Sequence, residues 1–259
     1  MNSVSGNSTD RGRIAAVFDI DGTLLPAPSL EWRLLAHLIA RRELRFGAVV
    51  RWLRSIVAQS VWRSKFRLEA AQRASLFYGN KSYLRGVRTA AVEDWIERRF
   101  SSLEFYPEAL AMVDWHQRRG HQIILISGTL GPLAREVGAM LSGRGEFLVR
   151  ATEIECEDER WTGRVSGEAI CGAAKETALL RLAAKHDFDL SRSYAYADSM
   201  KDRWLLGAVG HSTVVNPSAI LARNARRHGW RIVNWYQRAR LFECAGHNQQ
   251  IFREHASWK

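Results

Sequence analysis

The feature that most constrains this chain is an apolar run that ends in two carboxylates. Residues 14–17 are uninterrupted aliphatic residues, a pattern typical of a strand buried on both faces. Phe18 then leads into Asp19, Asp21, Gly22 and Thr23. Two carboxylates this close repel each other, and burying them is costly unless a cation compensates their charge. A divalent metal between the carboxylates would offset both their repulsion and the cost of their burial, and Gly22 would allow the tight turn around it. An ordinary Asp-Gly surface turn is the alternative, but it does not explain Asp19 at the end of an apolar strand.

The rest of the chain alternates predicted helices with short apolar strands. We predict strands over residues 121–129, 147–149, 194–197 and 213–215, and helices over residues 107–119, 133–141, 173–186 and from 219 onward. Residues 152–165 alternate in polarity and contain Gly163, which favours a β-hairpin. Alternation of strand and helix indicates a parallel sheet with right-handed crossovers. The expected fold class is therefore α/β, with a Rossmann-like parallel sheet core flanked by helices.

An all-helical cap domain is predicted between the first strand and the next. Pro26 and Pro28 interrupt the chain, Ser29 is suited to cap a helix, and apolar residues then recur at spacings of three and four. Extra helices of the main domain are the alternative, which the absence of an intervening strand disfavours. The expected organisation is a disordered tail over 1–12, an α/β core over 13–29 and 101–235, a helical cap over 30–100 and a basic C-terminal tail over 236–259.

Polar side chains follow three of the predicted strands. These are Asp19 and Asp21, then Ser127 and Gly128, then Asp198 and Asp202. Because sites in open parallel sheets lie at the carboxyl ends of the strands, we expect these groups to meet. Lys175 lies near the start of a predicted helix, where the helix dipole disfavours a cation, so its position suggests an anion nearby. Carboxylate oxygens are the ligands that Mg²⁺ prefers.

The pattern Asp19-x-Asp21-Gly22-Thr23 after a buried strand resembles motif one of the haloacid dehalogenase superfamily of phosphohydrolases. Ser127, Lys175 and the pair Asp198/Asp202 resemble its second, third and fourth motifs, in the same order. The resemblance implies a Mg²⁺-dependent phosphatase in which Asp19 becomes aspartyl-phosphate, while Asp21 protonates the leaving group and later helps to activate water. It also implies phosphate binding by Ser127, Gly128 and Lys175, and metal binding by Asp19, Asp21, Asp198 and Asp202, the last directly or through water.

Within that superfamily, the helical insertion resembles the phosphoserine-phosphatase-like branch, subfamily IB. The chain departs from the phosphoserine phosphatase pattern at three places. Gly22-Thr23 replaces the usual Ser-Thr or Ser-Val, Pro28 stands where an acidic residue recognises the amino acid, and Lys201 replaces an Asn. The reaction class is unaffected by these changes, but phosphoserine is not assigned as the substrate.

The formal net charge of +11 is concentrated in two regions, with +9 over residues 31–100 and +6 over residues 219–259. A small phosphorylated substrate, an anionic lipid surface or ordinary solvated helix faces would each suit this bias. A lipid-phosphate phosphatase in peripheral contact with a membrane, and a phosphotransferase, therefore remain alternatives. We disfavour a non-catalytic module for nucleic acid, because its expected signature, loss of Asp19 or Asp198, is not seen.

The location expected from the sequence is cytoplasmic. The three cysteines have neither disulfide-like nor metal-binding spacing, which fits a reducing compartment. The polar start has no signal-peptide core, and no apolar stretch reaches the length of a membrane span. The sequence fixes neither the substrate nor the oligomeric state.

Overall fold

The protein is built on a six-stranded parallel sheet. The computed structural model describes residues 12–54, 79–143, 145–236 and 239–240. The strands are β1 Ala15–Phe18, β2 Glu104–Phe105, β3 Gln122–Leu130, β4 Leu148–Thr152, β5 Ile154–Glu157, β6 Arg160–Val165, β7 Tyr194–Ala197, β8 His211–Val215, β9 Arg231–Val233 and β10 Ala239–Arg240. The main sheet has the order β4-β3-β1-β7-β8-β9, and each neighbouring pair in it is parallel.

Helices cover both faces of this sheet. They are α1 Leu30–Ala40, α2 Thr89–Arg99, α3 Pro107–Arg118, α4 Gly131–Leu141, α5 Ala173–His186, α6 Arg203–Gly207 and α7 Ala219–His228. Residues 46–54 are also helical, and short 3-10 helices lie at Ser82–Leu84, Phe100–Ser102, Leu190–Arg192 and Met200–Asp202. The α/β class predicted from the sequence is confirmed.

Strand β1 shows why both faces need a helical cover. Ala16 and Phe18 pack into one buried apolar cluster, and Ala15 and Val17 pack into a second cluster on the opposite face. All four side chains are fully buried. An apolar run without alternation is therefore what a central parallel strand requires.

The described part of the predicted cap is helical, as expected. Helix α1 begins after Ser29, whose side-chain oxygen accepts a hydrogen bond from the backbone N–H of Trp32 at 3.3 Å. Its buried face, which is Leu30, Leu34 and Leu38, joins the same apolar cluster as Phe18 of the core. The part of the predicted cap over residues 55–78 lies outside the described residues.

The hairpin predicted over residues 152–165 is present. Strands β5 and β6 pair antiparallel, and the turn is formed by Asp158 and Glu159, which both have positive φ. Gly163 lies inside β6, where a Cβ would be 3.0 Å from the Cα of Ser82. The glycine is needed for the close approach of the hairpin to the 3-10 helix at Ser82–Leu84. Two backbone hydrogen bonds hold the hairpin to the chain just after that helix. Gly86 N donates to Trp161 O at 2.7 Å, and Trp161 N donates to Val87 O at 2.8 Å.

The expectation that residues 213–215 form the last strand is wrong. Strand β9 follows α7 and pairs with β8 at the edge of the sheet, and β10 pairs with β2. Strand β9 has only three residues and begins with Arg231, so it lacks the apolar length that marks the central strands. Among the described residues, no helix has the length and apolar character that a membrane span requires.

Candidate active site

The residues predicted for the site meet in one cleft at the carboxyl ends of β1, β3 and β7. The cleft has a volume of about 190 Å³. Its lining includes all seven predicted residues, which are Asp19, Asp21, Ser127, Gly128, Lys175, Asp198 and Asp202. The backbone N–H of Asp19 donates to Tyr196 O at 3.0 Å, so β1 and β7 remain paired up to the first carboxylate.

Asp21 is held by the first turn of the cap helix. The backbone N–H of Leu30 donates to Asp21 Oδ1 at 2.7 Å. Burial raises the pKa of Asp21 to about 7, and the negative charges of Asp19 and Glu31 add to this effect, while the hydrogen bond from Leu30 opposes it. A carboxyl group with this pKa can be protonated at neutral pH, and it is suited to act first as a general acid and then as a general base.

Gly22 lets two acidic loops approach each other. Its φ is +86°, a left-handed conformation that favours glycine, and a Cβ at this position would collide with the carboxylate of Asp198. The turn after β1 and the loop after β7 can therefore bring Asp19 and Asp198 together only with glycine here.

Lys175 is the buried cation of the cleft. Only 4% of this residue is exposed, and its Nζ lies 2.8 Å from Asp19 Oδ1 and 2.6 Å from Asp202 Oδ1. Burial alone would lower the pKa of Lys175, but the two carboxylates raise it well above its ordinary value. Lys175 is therefore a permanent positive charge beside Asp19, in the first turn of α5.

Three carboxylates form a group that fits a divalent cation. Asp19, Asp198 and Asp202 each offer an oxygen, and these oxygens lie within 4.8 Å of one another. Burial, together with the charges of Asp19 and Asp202, raises the pKa of Asp198 to about 8. The single positive charge of Lys175 does not compensate three carboxylates. Carboxylate oxygens are hard donors, which suit Mg²⁺. Asp21 lines the same cleft but does not belong to this group, so its predicted role as a metal ligand stays a prediction.

Hydroxyl groups of β3 also line the cleft. Ser127 is buried, and its Oγ accepts a hydrogen bond from the backbone N–H of Thr129 at 3.4 Å. The carbonyl of Gly128 accepts from Thr152 Oγ1 at 3.1 Å, which fixes the end of β3. Thr129 Oγ1 is buried and has no hydrogen-bond partner among the described residues. Such a hydroxyl can donate to an anion bound in the cleft.

Sequence reasoning missed several residues of the cleft. They are Ser29, Glu31, Thr129, Ile170, Cys171, Ser199 and Lys201. Thr129 could have been found, because it follows Ser127 and Gly128 at the end of the same strand. Glu31 could not, because its presence depends on how α1 packs over the core.

The fold and the cleft define an α/β protein with a charged acidic site at the ends of its parallel strands. Residues 16–206 match the family model of the haloacid dehalogenase-like hydrolases, and the chain belongs to this family. It is a phosphatase of the phosphoserine-phosphatase-like branch, as the predicted resemblance implied.

Similarity to individual proteins agrees with this assignment. The chain is 29% identical over 228 residues to a phosphoserine phosphatase of Mycobacterium tuberculosis, covering 84% of this chain and 70% of that protein. It is 32% identical over 136 residues to an inhibition of morphological differentiation protein of Streptomyces azureus, spanning 52% of this chain and 48% of the relative. The crystal structure of a probable phosphoserine phosphatase from Vibrio cholerae shares the fold, with a TM-score of 0.58 at 17% identity over 97% of this chain and 70% of that one.

Proposed function

We propose that this phosphatase hydrolyses a small phosphomonoester in a Mg²⁺-dependent reaction, through an aspartyl-phosphate formed on Asp19. The observation that carries the proposal is the setting of Asp19. Its carboxylate is buried at the end of β1, in contact with Lys175 and within 4.8 Å of oxygens from Asp198 and Asp202. A carboxylate can attack a phosphate dianion only where fixed positive charge offsets their repulsion.

In the first step, an oxygen of Asp19 attacks phosphorus and the bond from phosphorus to the ester oxygen breaks. Protonated Asp21 donates its proton to the departing alkoxide, which leaves as the alcohol. The raised pKa of Asp21 supports this role, since its carboxyl group can be protonated at neutral pH.

In the second step, water attacks the phosphorus of the aspartyl-phosphate. Asp21, now ionised, takes a proton from that water, and the bond between phosphorus and Asp19 breaks. The products are inorganic phosphate and the free carboxylate of Asp19. Asp21 is thereby returned to its protonated form for the next turnover.

The remaining cleft residues bind and orient the phosphoryl group. Ser127 and the backbone N–H of Gly128 donate to its oxygens, and Lys175 offsets their charge. Asp19, Asp198 and Asp202 would hold Mg²⁺, which supplies positive charge that lowers the repulsion between nucleophile and phosphate when it is bound. The predicted cap over residues 30–100 contributes Glu31 to the cleft wall and the N–H of Leu30 to Asp21.

Release of inorganic phosphate from a panel of amino-acid, sugar, cyclitol, nucleotide and lipid phosphates tests the proposal. We expect activity with Mg²⁺ and its loss in a chelator. Asp19→Asn should reduce the rate by about 10²-fold or more, because the substitution removes the nucleophile but keeps its size.

The matched control is Asp158→Asn, at the turn of the β5–β6 hairpin. Asp158 is exposed and has positive φ, which asparagine also tolerates. This variant should keep wild-type activity. Activity of Asp19→Asn above about a hundredth of the wild-type rate would contradict covalent catalysis by Asp19.

A further inference from the structure

A second pocket adjoins the catalytic cleft on the cap side. Its volume is about 140 Å³, and it shares Ser29 and Glu31 with the cleft. For comparison, a cavity of about 150 Å³ lined by apolar side chains holds a benzene ring. The second pocket is therefore large enough for one ring or a branched aliphatic group attached to a phosphate in the cleft.

Three aromatic residues and a leucine form the apolar part of the wall of this pocket. Trp32, Leu35, Trp52 and Tyr83 line it, and the rings of Trp52 and Tyr83 meet edge to face with centroids 5.1 Å apart. These residues come from α1, from the helical residues 46–54 and from the 3-10 helix at Ser82–Leu84. We call this site the aromatic pocket.

The charged groups of the aromatic pocket neutralise each other. Lys81 Nζ lies 2.6 Å from both carboxylate oxygens of Glu31, and the hydroxyl of Tyr83 donates to the same carboxylate. The side chain of Lys81 is 3% exposed and that of Glu31 is 20% exposed. The described residues that line this pocket therefore contribute no net charge to it.

The β5–β6 hairpin, which lies outside the cap, holds the segment that carries Lys81 of this ion pair. The β5–β6 hairpin packs against Lys81 and Ser82 at Gly163, and backbone hydrogen bonds join the hairpin to the chain just after the 3-10 helix. Lys81 and Tyr83 are thus held by the core domain. A pocket whose polar groups are already paired and positioned selects by shape and apolar contact.

We propose that the aromatic pocket binds the leaving group of the substrate, and that it selects phosphomonoesters of alcohols with an uncharged apolar or aromatic body over phosphoserine. The inference rests on the proposed function and names its substrate class. Phosphoserine would bring an ammonium and a carboxylate against apolar walls, and the charged groups described there, Glu31 and Lys81, are already paired with each other. A ring or branched chain instead buries apolar surface against Trp52, Trp32 and Leu35.

Three esters of primary alcohols separate this proposal from its alternatives. Steady-state kinetics with Mg²⁺ are measured for 2-phenylethyl phosphate, ethyl phosphate and L-phosphoserine, each of which releases a primary alcohol. We expect kcat/KM for 2-phenylethyl phosphate to exceed that for each of the other two by about tenfold or more. Equal values, or a preference for phosphoserine, would overturn the proposal.

Substitutions in the aromatic pocket test whether its tryptophans determine the selectivity between esters. Trp52→Ala should lower kcat/KM for 2-phenylethyl phosphate about tenfold, mainly through KM, and leave ethyl phosphate within about twofold. Trp32 is 63% exposed, so its truncation should be tolerated. Trp32→Ala should shift the selectivity between the two esters in the same direction. The control is Trp230→Ala, a tryptophan that stacks on His228 beyond α7, which should change neither ester.

Different results would overturn the proposed function and the role of the aromatic pocket. If the wild type releases phosphate but the tryptophan variants slow all three esters equally, the aromatic pocket does not bind the leaving group and only this inference is overturned. If the wild type releases no phosphate from these esters or from the wider panel, the proposed function and this inference are both overturned.

Discussion

Gly22 is the residue on which the geometry of the site most depends. Replacing it with alanine forces a left-handed conformation, at a cost of about 1–2 kcal/mol, and also pushes a methyl group into the carboxylate of Asp198. We expect Gly22→Ala to reduce phosphatase activity by up to about 10²-fold, because the acidic group can no longer assemble. Phosphate-release kinetics and thermal unfolding of the same preparation measure both effects.

Gly167→Ala is the matched control for this prediction. Gly167 has a φ of +76°, and a Cβ there would have no neighbour within 4 Å. The control should show the same backbone strain, with a similar loss of stability, and keep wild-type activity. Equal activity in the two variants would show that the approach of Asp198 to Gly22 is unimportant.

Asp198 lowers the stability of the folded protein as long as no cation is bound beside it. Burial and two neighbouring carboxylates raise its pKa to about 8, so its ionised form is disfavoured. Asp198→Asn should therefore raise the melting temperature in chelator by a few degrees, since about 1 kcal/mol corresponds to roughly 2–4 °C in a protein of this size. Differential scanning fluorimetry with EDTA and with Mg²⁺ measures this effect.

The same substitution should weaken the response to the metal. Wild type should gain stability on addition of Mg²⁺, whereas Asp198→Asn should gain less and need a higher Mg²⁺ concentration for half-maximal activity. A variant that matches the wild type in both titrations would remove Asp198 from the metal site.

Elements with a strong local signal were predicted well from the sequence. Strand β7 and helix α5 have the predicted bounds, because each combines a clear periodic pattern with a clear boundary. Strand β9 was missed, since three residues at a sheet edge carry almost no pattern. The β-hairpin predicted over residues 152–165 is present; its turn is formed by Asp158 and Glu159, which have positive φ, while Gly163 serves a tertiary contact.

The catalytic cleft and the aromatic pocket differ in how far sequence could reveal them. The cleft is built from residues next to strand ends, so topology alone brings them together. The aromatic pocket is built from Glu31, Trp52 and Lys81, which are distant in sequence and share no motif: the first two lie on helices and Lys81 precedes a 3-10 helix. Its contents depend on the packing of those helices, which periodicity does not specify.

The β5–β6 hairpin offers a prediction at the level of the element. Gly163→Ala would place a Cβ 3.0 Å from Ser82 Cα at a φ of +78°, so the hairpin must move away from the 3-10 helix. We expect KM for 2-phenylethyl phosphate to rise several-fold while kcat for ethyl phosphate is kept, because the displaced Lys81 and Tyr83 line the aromatic pocket only. Steady-state kinetics of both esters measure this.

Gly229→Ala is the control for the hairpin prediction. Gly229 ends α7 with a φ of +69°, and a Cβ there would meet nothing within 4 Å. Its kinetics should match the wild type despite a comparable loss of stability. If Gly163→Ala leaves both ester kinetics unchanged, the hairpin does not hold the wall of the aromatic pocket in place.

The whole molecule has a second buried polar cluster, at the end of the sheet opposite the cleft. His116 is fully buried on α3, with its Nε2 2.9 Å from the Tyr196 hydroxyl and its Nδ1 2.8 Å from Nδ1 of His121. Burial, aided by His121 and Arg119, lowers the pKa of His116 well below its ordinary value of 6.5. His116 is therefore neutral in the folded protein and becomes protonated on unfolding in mild acid.

This difference sets the sign of a pH effect on stability. Below pH 6.5 the unfolded chain binds a proton that folded His116 does not, so the free energy of unfolding should fall as the pH falls, by up to about 1.4 kcal/mol per pH unit. Denaturant unfolding at pH 7.5, 6.5 and 5.5 should show this loss in the wild type relative to His116→Gln, which cannot titrate. The difference between the two proteins removes the contributions of groups that do not contact His116, and His121→Gln measured in parallel accounts for its neighbour. A difference independent of pH would contradict a neutral, buried His116.

Trapping the covalent intermediate shows whether the phosphoryl group passes to Asp19. The enzyme is mixed with a turned-over phosphomonoester and Mg²⁺, quenched and reduced with borohydride, which converts an aspartyl-phosphate to homoserine. Peptide mass spectrometry then reads the modified position. We predict homoserine at residue 19, only in the presence of substrate. Homoserine at Asp21, or its absence at both positions in an enzyme that is turning over, would contradict covalent catalysis by Asp19.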